Sequence, residues 1–151
     1  MSQIGLRMKT ERLEVSDVEK IYELLNEAAE AINSENVEGW RALFCDDSLQ
    51  APPEVPLQSG NLRNLIGKPV QSDQVHSKLS FNPEVVRIFD DHAYTYGFFK
   101  TILTIIESKD KSNFQRDGKF LSILEKQIDG SWKILVDCFN YNEIAELQGF
   151  G

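Results

Sequence analysis

A carboxylate set inside an apolar run is the clearest sign of chemistry in this chain. Asp137 lies between Leu135-Val136 and Cys138-Phe139. Such neighbours withhold solvent from the ionised form, raise the carboxyl pKa and suit the group to proton transfer. The competing reading is a structural carboxylate, paired with a Lys or Arg or bonded to backbone N–H groups. Strand parity bears on the choice. Asp137 shares a face with Lys133, Leu135, Phe139 and Tyr141, while Trp132, Ile134, Val136 and Cys138 share the opposite, more apolar face. If the latter face meets the helices, Asp137 points outward unless a bulge intervenes. Asn140 is then the polar residue nearest the interior.

The other candidates are aromatic. Tyr22, Trp40, Phe44, Tyr96, Phe98 and Phe120 fall on elements able to line an apolar ligand pocket, and equally able to form plain core. His76 and His92 have no partners at metal-ligand spacing, so no metal site is expected. The glycines never take a phosphate-loop spacing, and no Ser nucleophile elbow is present. Cys45 as a nucleophile needs an activating His that the sequence does not supply nearby. No cofactor is expected.

These residues need elements to carry them. Ser16-x-x-Glu19 is a capping box. Val18, Ile21, Tyr22, Leu25, Ala28, Ala29 and Ile32 then recur at three- and four-residue steps, the stripe of a five-turn helix ended by Asn33-Ser34. Residues 36–44 predict a shorter helix capped by Asn36. Pro52, Pro53, Pro56 and Gly60 break the next stretch, leaving room for a short strand at Ser48–Ala51. Pro52–Gly60 reads either as a lid or as a solvated connector. Residues 61–67 suggest a third helix, and 68–80 are polar and unassigned.

The second half reads as strands: Val85–Phe89, the turn Asp90-Asp91, then Ala93–Glu107. A polar connection follows over Ser108–Gly118. Lys119–Ile128 and Ser131–Tyr141 then form a hairpin around Asp129-Gly130. A short terminal helical turn is expected at Glu143–Leu147. Helices first and an antiparallel meander after make an α+β domain with helices on one sheet face. The strand Ala93–Glu107 is apolar on both parities, with Tyr94, Tyr96, Phe98, Ile102 and Ile106 against Ala93, Phe99, Leu103 and Ile105. Helices cover one face only, so a homodimer through the sheet is expected, the rival being a strand buried wholly within one monomer.

Three segments together resemble a known superfamily: Asp117-Gly118-Lys119-Phe120, Lys126-Gln127-x-Asp129-Gly130-Ser131-Trp132-Lys133-Ile134, and Asp137-x-Phe139-Asn140. Ala93-x-x-x-Gly97 fits as well, and so does the first helix leading into Asn36-Val37-x-x-Trp40-x-x-Leu43-Phe44. The chain from about residue 16 to 142 resembles the SnoaL-like, ketosteroid-isomerase-like branch of the nuclear-transport-factor-two-like superfamily. Residues 50–80 depart from the usual pattern. The resemblance implies a cystatin-like cone: three helices closing a strongly curved antiparallel sheet around a cavity, often as a dimer. Its members include isomerases, cyclases, dehydratases, hydrolases and dimerisation domains, so the fold does not choose a function. In the ketosteroid isomerases a carboxylate base works opposite a Tyr and a protonated acid. Tyr22 matches the Tyr part loosely, the two acids have no clear match, and that chemistry is not carried over.

With 151 residues the chain has the size of one domain, residues 1–13 forming a loose lead-in. A net charge of −8 with scattered basic residues argues against a nucleic-acid partner. No apolar run approaches the length of a membrane span or a signal peptide, so no membrane partner and a cytoplasmic location are expected. Cys45 and Cys138 are expected as buried free thiols. Two functional readings are open: a small-molecule-binding domain with an apolar pocket in a cone-shaped dimer, or a cofactor-free enzyme of isomerase, dehydratase or hydrolase type using acid–base catalysis on a small apolar substrate.

Overall fold

Ser16 caps the first helix as its capping box requires, its side-chain oxygen accepting from the Glu19 N–H at 3.2 Å. The computed structural model describes residues 15–59, 75–107 and 110–143. Within them the order is α1 (Asp17–Asn33), α2 (Val37–Arg41), β1 (Phe44–Ala51), β2 (Gln58–Ser59), β3 (Val75–Phe89), β4 (His92–Glu107), β5 (Asp110–Lys126) and β6 (Trp132–Tyr141). The two helices pack on a six-stranded curved sheet of order β2-β1-β6-β5-β4-β3. The expected lead-in, the third helix over 61–67 and most of the turn over 143–147 lie outside the described residues.

The α+β cone is present, with one departure in topology. β3 through β6 form the antiparallel meander, but β1 runs parallel to β6, so the sheet is mixed. The strands are also longer than their apolar runs. β3 starts ten residues before Val85, because Ser77, Leu79 and Phe81 alternate inward between exposed polar residues. The stretch read as a polar connection after Ser108 is, from Asp110 onward, the outer end of β5. It pairs with β4 residue by residue back to Glu107↔Asp110. It reads as a loop because residues 111–115, Phe114 included, are all exposed. The second helix stops at Arg41, and Phe44 begins β1 instead of ending a helix.

The buried stripe of α1 is Ile21, Leu24, Leu25, Ala28, Ala29 and Ala31. Val18 and Tyr22, expected in it, are exposed at its edge. Ile21 and Leu24 join Trp40, Phe44, Ala93, Leu124, Trp132 and Ile134 in the main core; a second cluster of Leu25, Phe99 and Phe120 lies further along the sheet. Asp17, at the first turn of α1, ties the helix to the last hairpin. Lys126 Nζ donates to its Oδ2 at 3.0 Å and Trp132 Nε1 to its Oδ1 at 3.1 Å. Both bonds hold the Asp17 carboxyl below its ordinary pKa.

Two glycines permit close approaches inside the sheet. A Cβ on Gly118 would collide with the Phe99 ring, and one on Gly97 with the Asn82 carbonyl. The β5–β6 hairpin turns over Gln127–Ser131, where Gly130 takes a left-handed φ of 88° and its N–H donates to the Gln127 carbonyl at 2.9 Å.

Candidate active site

Leu135 decides which way the last strand faces. In the β5–β6 ladder Leu124 pairs with Ile134, and Ile123 pairs with Val136, so Leu135 is an extra residue in β6. A β-bulge of this kind reverses the side-chain parity beyond it. Before it, Trp132 and Ile134 point into the core. After it, Asp137, Phe139 and Tyr141 line the cavity. The outward orientation that strict alternation assigns to Asp137 is thereby reversed, and Asn140 goes to the outer, exposed side.

The cavity has a volume of about 500 Å³ and lies between the helices and the concave face of the sheet. That is within the range for small-molecule sites. Trp40, Phe44 and Phe120 line it, as their positions suggested; Phe81, Phe99 and Phe139 add to an apolar wall. Pro52, Pro53, Glu54 and Val55, from the stretch weighed as a lid, form part of its rim. Tyr22, Tyr96 and Phe98 are not among its lining residues. Tyr96 and Phe98 point to the convex side with 41% and 45% of their surface exposed, since Thr95, Gly97 and Phe99 take the inner parity of β4.

A row of polar side chains crosses the inner face of the sheet. Thr95 pairs with Ser122, Ser122 with Asp137, and Asp137 with Gln50, on the four adjacent strands β4, β5, β6 and β1. Gln50 is 1% exposed, Ser122 3% and Thr95 0%, in a region otherwise filled by apolar groups. Gln50 Nε2 donates to Asp137 Oδ2 at 3.2 Å, and Ser122 Oγ donates to Oδ1 at 3.4 Å. Burial pushes the Asp137 carboxyl up to about 6, the two hydrogen bonds opposing the rise. No Lys or Arg among the described residues compensates it. Gln50 Oε1 and Thr95 Oγ1 have no hydrogen-bond partner among the described residues. Buried polar groups are ordinarily satisfied, so this row is costly as core and useful as a site.

Sequence reading missed Gln50 and Ser122. Gln50 stands just before a stretch with three prolines, and Ser122 is a single small polar residue between Phe120 and Leu124 on the inner face of β5. Only strand register brings either to Asp137. Arg116 was missed as well; it lines the cavity, and its guanidinium carbon stands 3.7 Å above the Tyr141 ring centroid. Cys45 is buried among apolar groups, which pushes its thiol pKa up, the opposite of an activated thiolate. Cys138 is a free thiol too, but only half-buried. His92 is an exposed residue at the start of β4, flanked by Asp91 at 2.9 Å and Glu125 at 3.2 Å. Among the described residues no helix is long and apolar enough to cross a membrane.

The fold is that of the NTF2-like cone proteins. An NTF2-like protein with a cystatin-like fold from Novosphingobium aromaticivorans superimposes with a TM-score of 0.66, over 99% of this chain and 95% of that one, at 15% identity. A ketosteroid isomerase-like protein from Erwinia carotovora matches with a TM-score of 0.65 over 82% of this chain and 95% of that one, at 18% identity. A conserved protein from Planctomyces limnophilus reaches 0.71 over 83% and 97%, also at 18% identity. No protein-family model and no curated protein sequence matches the chain.

Proposed function

We propose that the chain is a cofactor-free enzyme of isomerase or dehydratase type, with Asp137 as general acid and base acting on a small, largely apolar molecule held in the cone. The observation that carries this reading is the Asp137 carboxylate in the cavity wall, held by Gln50 and Ser122 and titrating at about 6. A group of that pKa is mostly ionised at neutral pH, yet basic enough to keep a proton it has taken. It can accept a proton from one atom of a bound molecule and return it to another. Gln50 and Ser122 fix the carboxylate rotamer. The reading accords with the SnoaL-like, ketosteroid-isomerase-like branch that the sequence resembles, although Gln and Ser stand where Tyr or Asn was expected.

The test is deuterium incorporation from heavy water into a panel of small cyclic ketones and enones, followed by NMR. Wild type should label carbons next to the carbonyl, and Asp137→Asn should slow the labelling by about 10²- to 10⁴-fold with the fold intact. Equal rates for the two proteins would remove Asp137 as the base. A panel bound but never labelled would favour the non-catalytic binding reading.

We also propose that the convex face forms a homodimer. Tyr96, Phe98, Leu121 and Ile123 lie there with 38–47% of their surface exposed, and Phe89, Tyr94 and Tyr96 stack along it. A patch of this kind marks an interaction surface. Light scattering should give twice the monomer mass for wild type and the monomer mass for Phe98→Glu; a monomeric wild type at micromolar concentration rejects the dimer.

A further inference from the structure

Arg116 marks the other end of the cavity. Arg116, Gly118, Phe120 and Ser122 follow one another on the inner face of β5, so six residues of strand, at most about 20 Å, separate Arg116 from the Ser122–Asp137 pair. Stacking on Tyr141 uses the flat face of the guanidinium and leaves its N–H edge able to donate. No carboxylate among the described residues pairs with it, although the chain carries a net charge of −8. Glu54, the other acid besides Asp137 on the cavity wall, is exposed and outside ion-pair range of it. Arg116 pairs with Thr101 on β4 and Thr101 with Leu79 on β3, and these two residues and Leu103 also line the cavity. A planar cation with donors that no described carboxylate occupies, set in an apolar wall, is suited to an oxyanion that presents two oxygens to its edge, which it can bind through two parallel hydrogen bonds.

We propose that the cavity takes an elongated amphipathic anion, an apolar body ending in a carboxylate or sulfonate, with that group on Arg116 and its opposite end at Asp137. Charge sets the direction of the ligand. The reverse orientation would put two like charges together once Asp137 is ionised. This deepens the acid–base reading by orienting its substrate, and it rests on that reading only for what happens at the far end.

The probes are a matched pair: anilinonaphthalene sulfonate and its uncharged counterpart phenylnaphthylamine, titrated by fluorescence at about pH 8. Arg116→Met should weaken the sulfonate about 10-fold or more, while the uncharged probe changes less than about twofold. Arg116→Lys, which keeps the charge and loses the fork, should fall between, with sulfonate affinity dropping as salt is raised. If Arg116→Met does not melt cooperatively, Arg116→Lys and the salt dependence decide alone. Equal losses for both probes, no loss for either, or no binding of either by wild type overturns the proposal. Asp137→Asn should keep the preference for the sulfonate. The anion site and the acid–base reading therefore fail by different experiments, the second by deuterium exchange.

Discussion

Gln50 and Asp137 are register partners across the parallel ladder between β1 and β6, and the Gln50 amide donates to the Asp137 carboxylate at 3.2 Å. The pair joins a strand from the first third of the chain to the last strand.

Gln50 should set the acidity of Asp137. Its hydrogen bond favours the ionised carboxylate and opposes the effect of burial. In Gln50→Met the Asp137 carboxyl should therefore titrate above about 6. Carbon-13 NMR of the labelled carboxyl reads this directly, and an unchanged or lower midpoint would show that the bond does not stabilise the charge.

Asp137 should cost the protein stability at neutral pH. Its folded pKa of about 6 lies above the ordinary 3.8, so the folded state holds this proton more tightly than the unfolded chain. Stability from this group is then greatest at low pH, falls as pH rises from about 4 to about 6, and stays low above that. The difference is on the order of 2–3 kcal/mol. Asp137→Asn should raise the urea midpoint at pH 8 and leave it nearly unchanged at pH 4. A variant less stable than wild type at pH 8 would contradict the poorly solvated, uncompensated carboxylate.

Gly118 should not accept a side chain. A methyl group there meets the Phe99 ring, which packs against Phe139 and Tyr141 in the cavity wall. Gly118→Ala should cost about 1–3 kcal/mol in urea unfolding and alter binding of an apolar fluorescent probe. Wild-type stability would mean that Phe99 moves aside freely.

Asp17 should stabilise through its charge. Its pKa is depressed in the folded state, so its contribution is full above the unfolded value of 3.8 and is lost as pH falls through the lower folded value. Asp17→Asn should cost about 1 kcal/mol at pH 7, discounted for partial exposure. The gap to wild type should narrow as the solution is taken below pH 4. A gap independent of pH would assign the effect to shape alone.

Much of this protein was determined by the sequence itself. The Ser16 capping box, the α1 stripe and the run of strands after Val85 are local patterns. Side-chain period and turn chemistry write them within windows of ten to twenty residues, and they suffice for an α+β domain with helices on one sheet face; the cone is what the family resemblance implies. The carboxylate inside an apolar run could be singled out for the same reason. What tertiary structure alone decided is where that carboxylate points. One extra residue, Leu135, shifts β6 by half a period, and nothing in its identity as a leucine announces a bulge. The bulge exists only as a mismatch against β5. Gln50, Ser122 and Arg116 are equally silent in the sequence, because their meaning lies in register with strands tens of residues away. Tyr22, Tyr96 and Phe98 show the converse: an aromatic side chain signals burial of some kind, but the face on which it falls is fixed by the pleat and the curvature of the whole sheet.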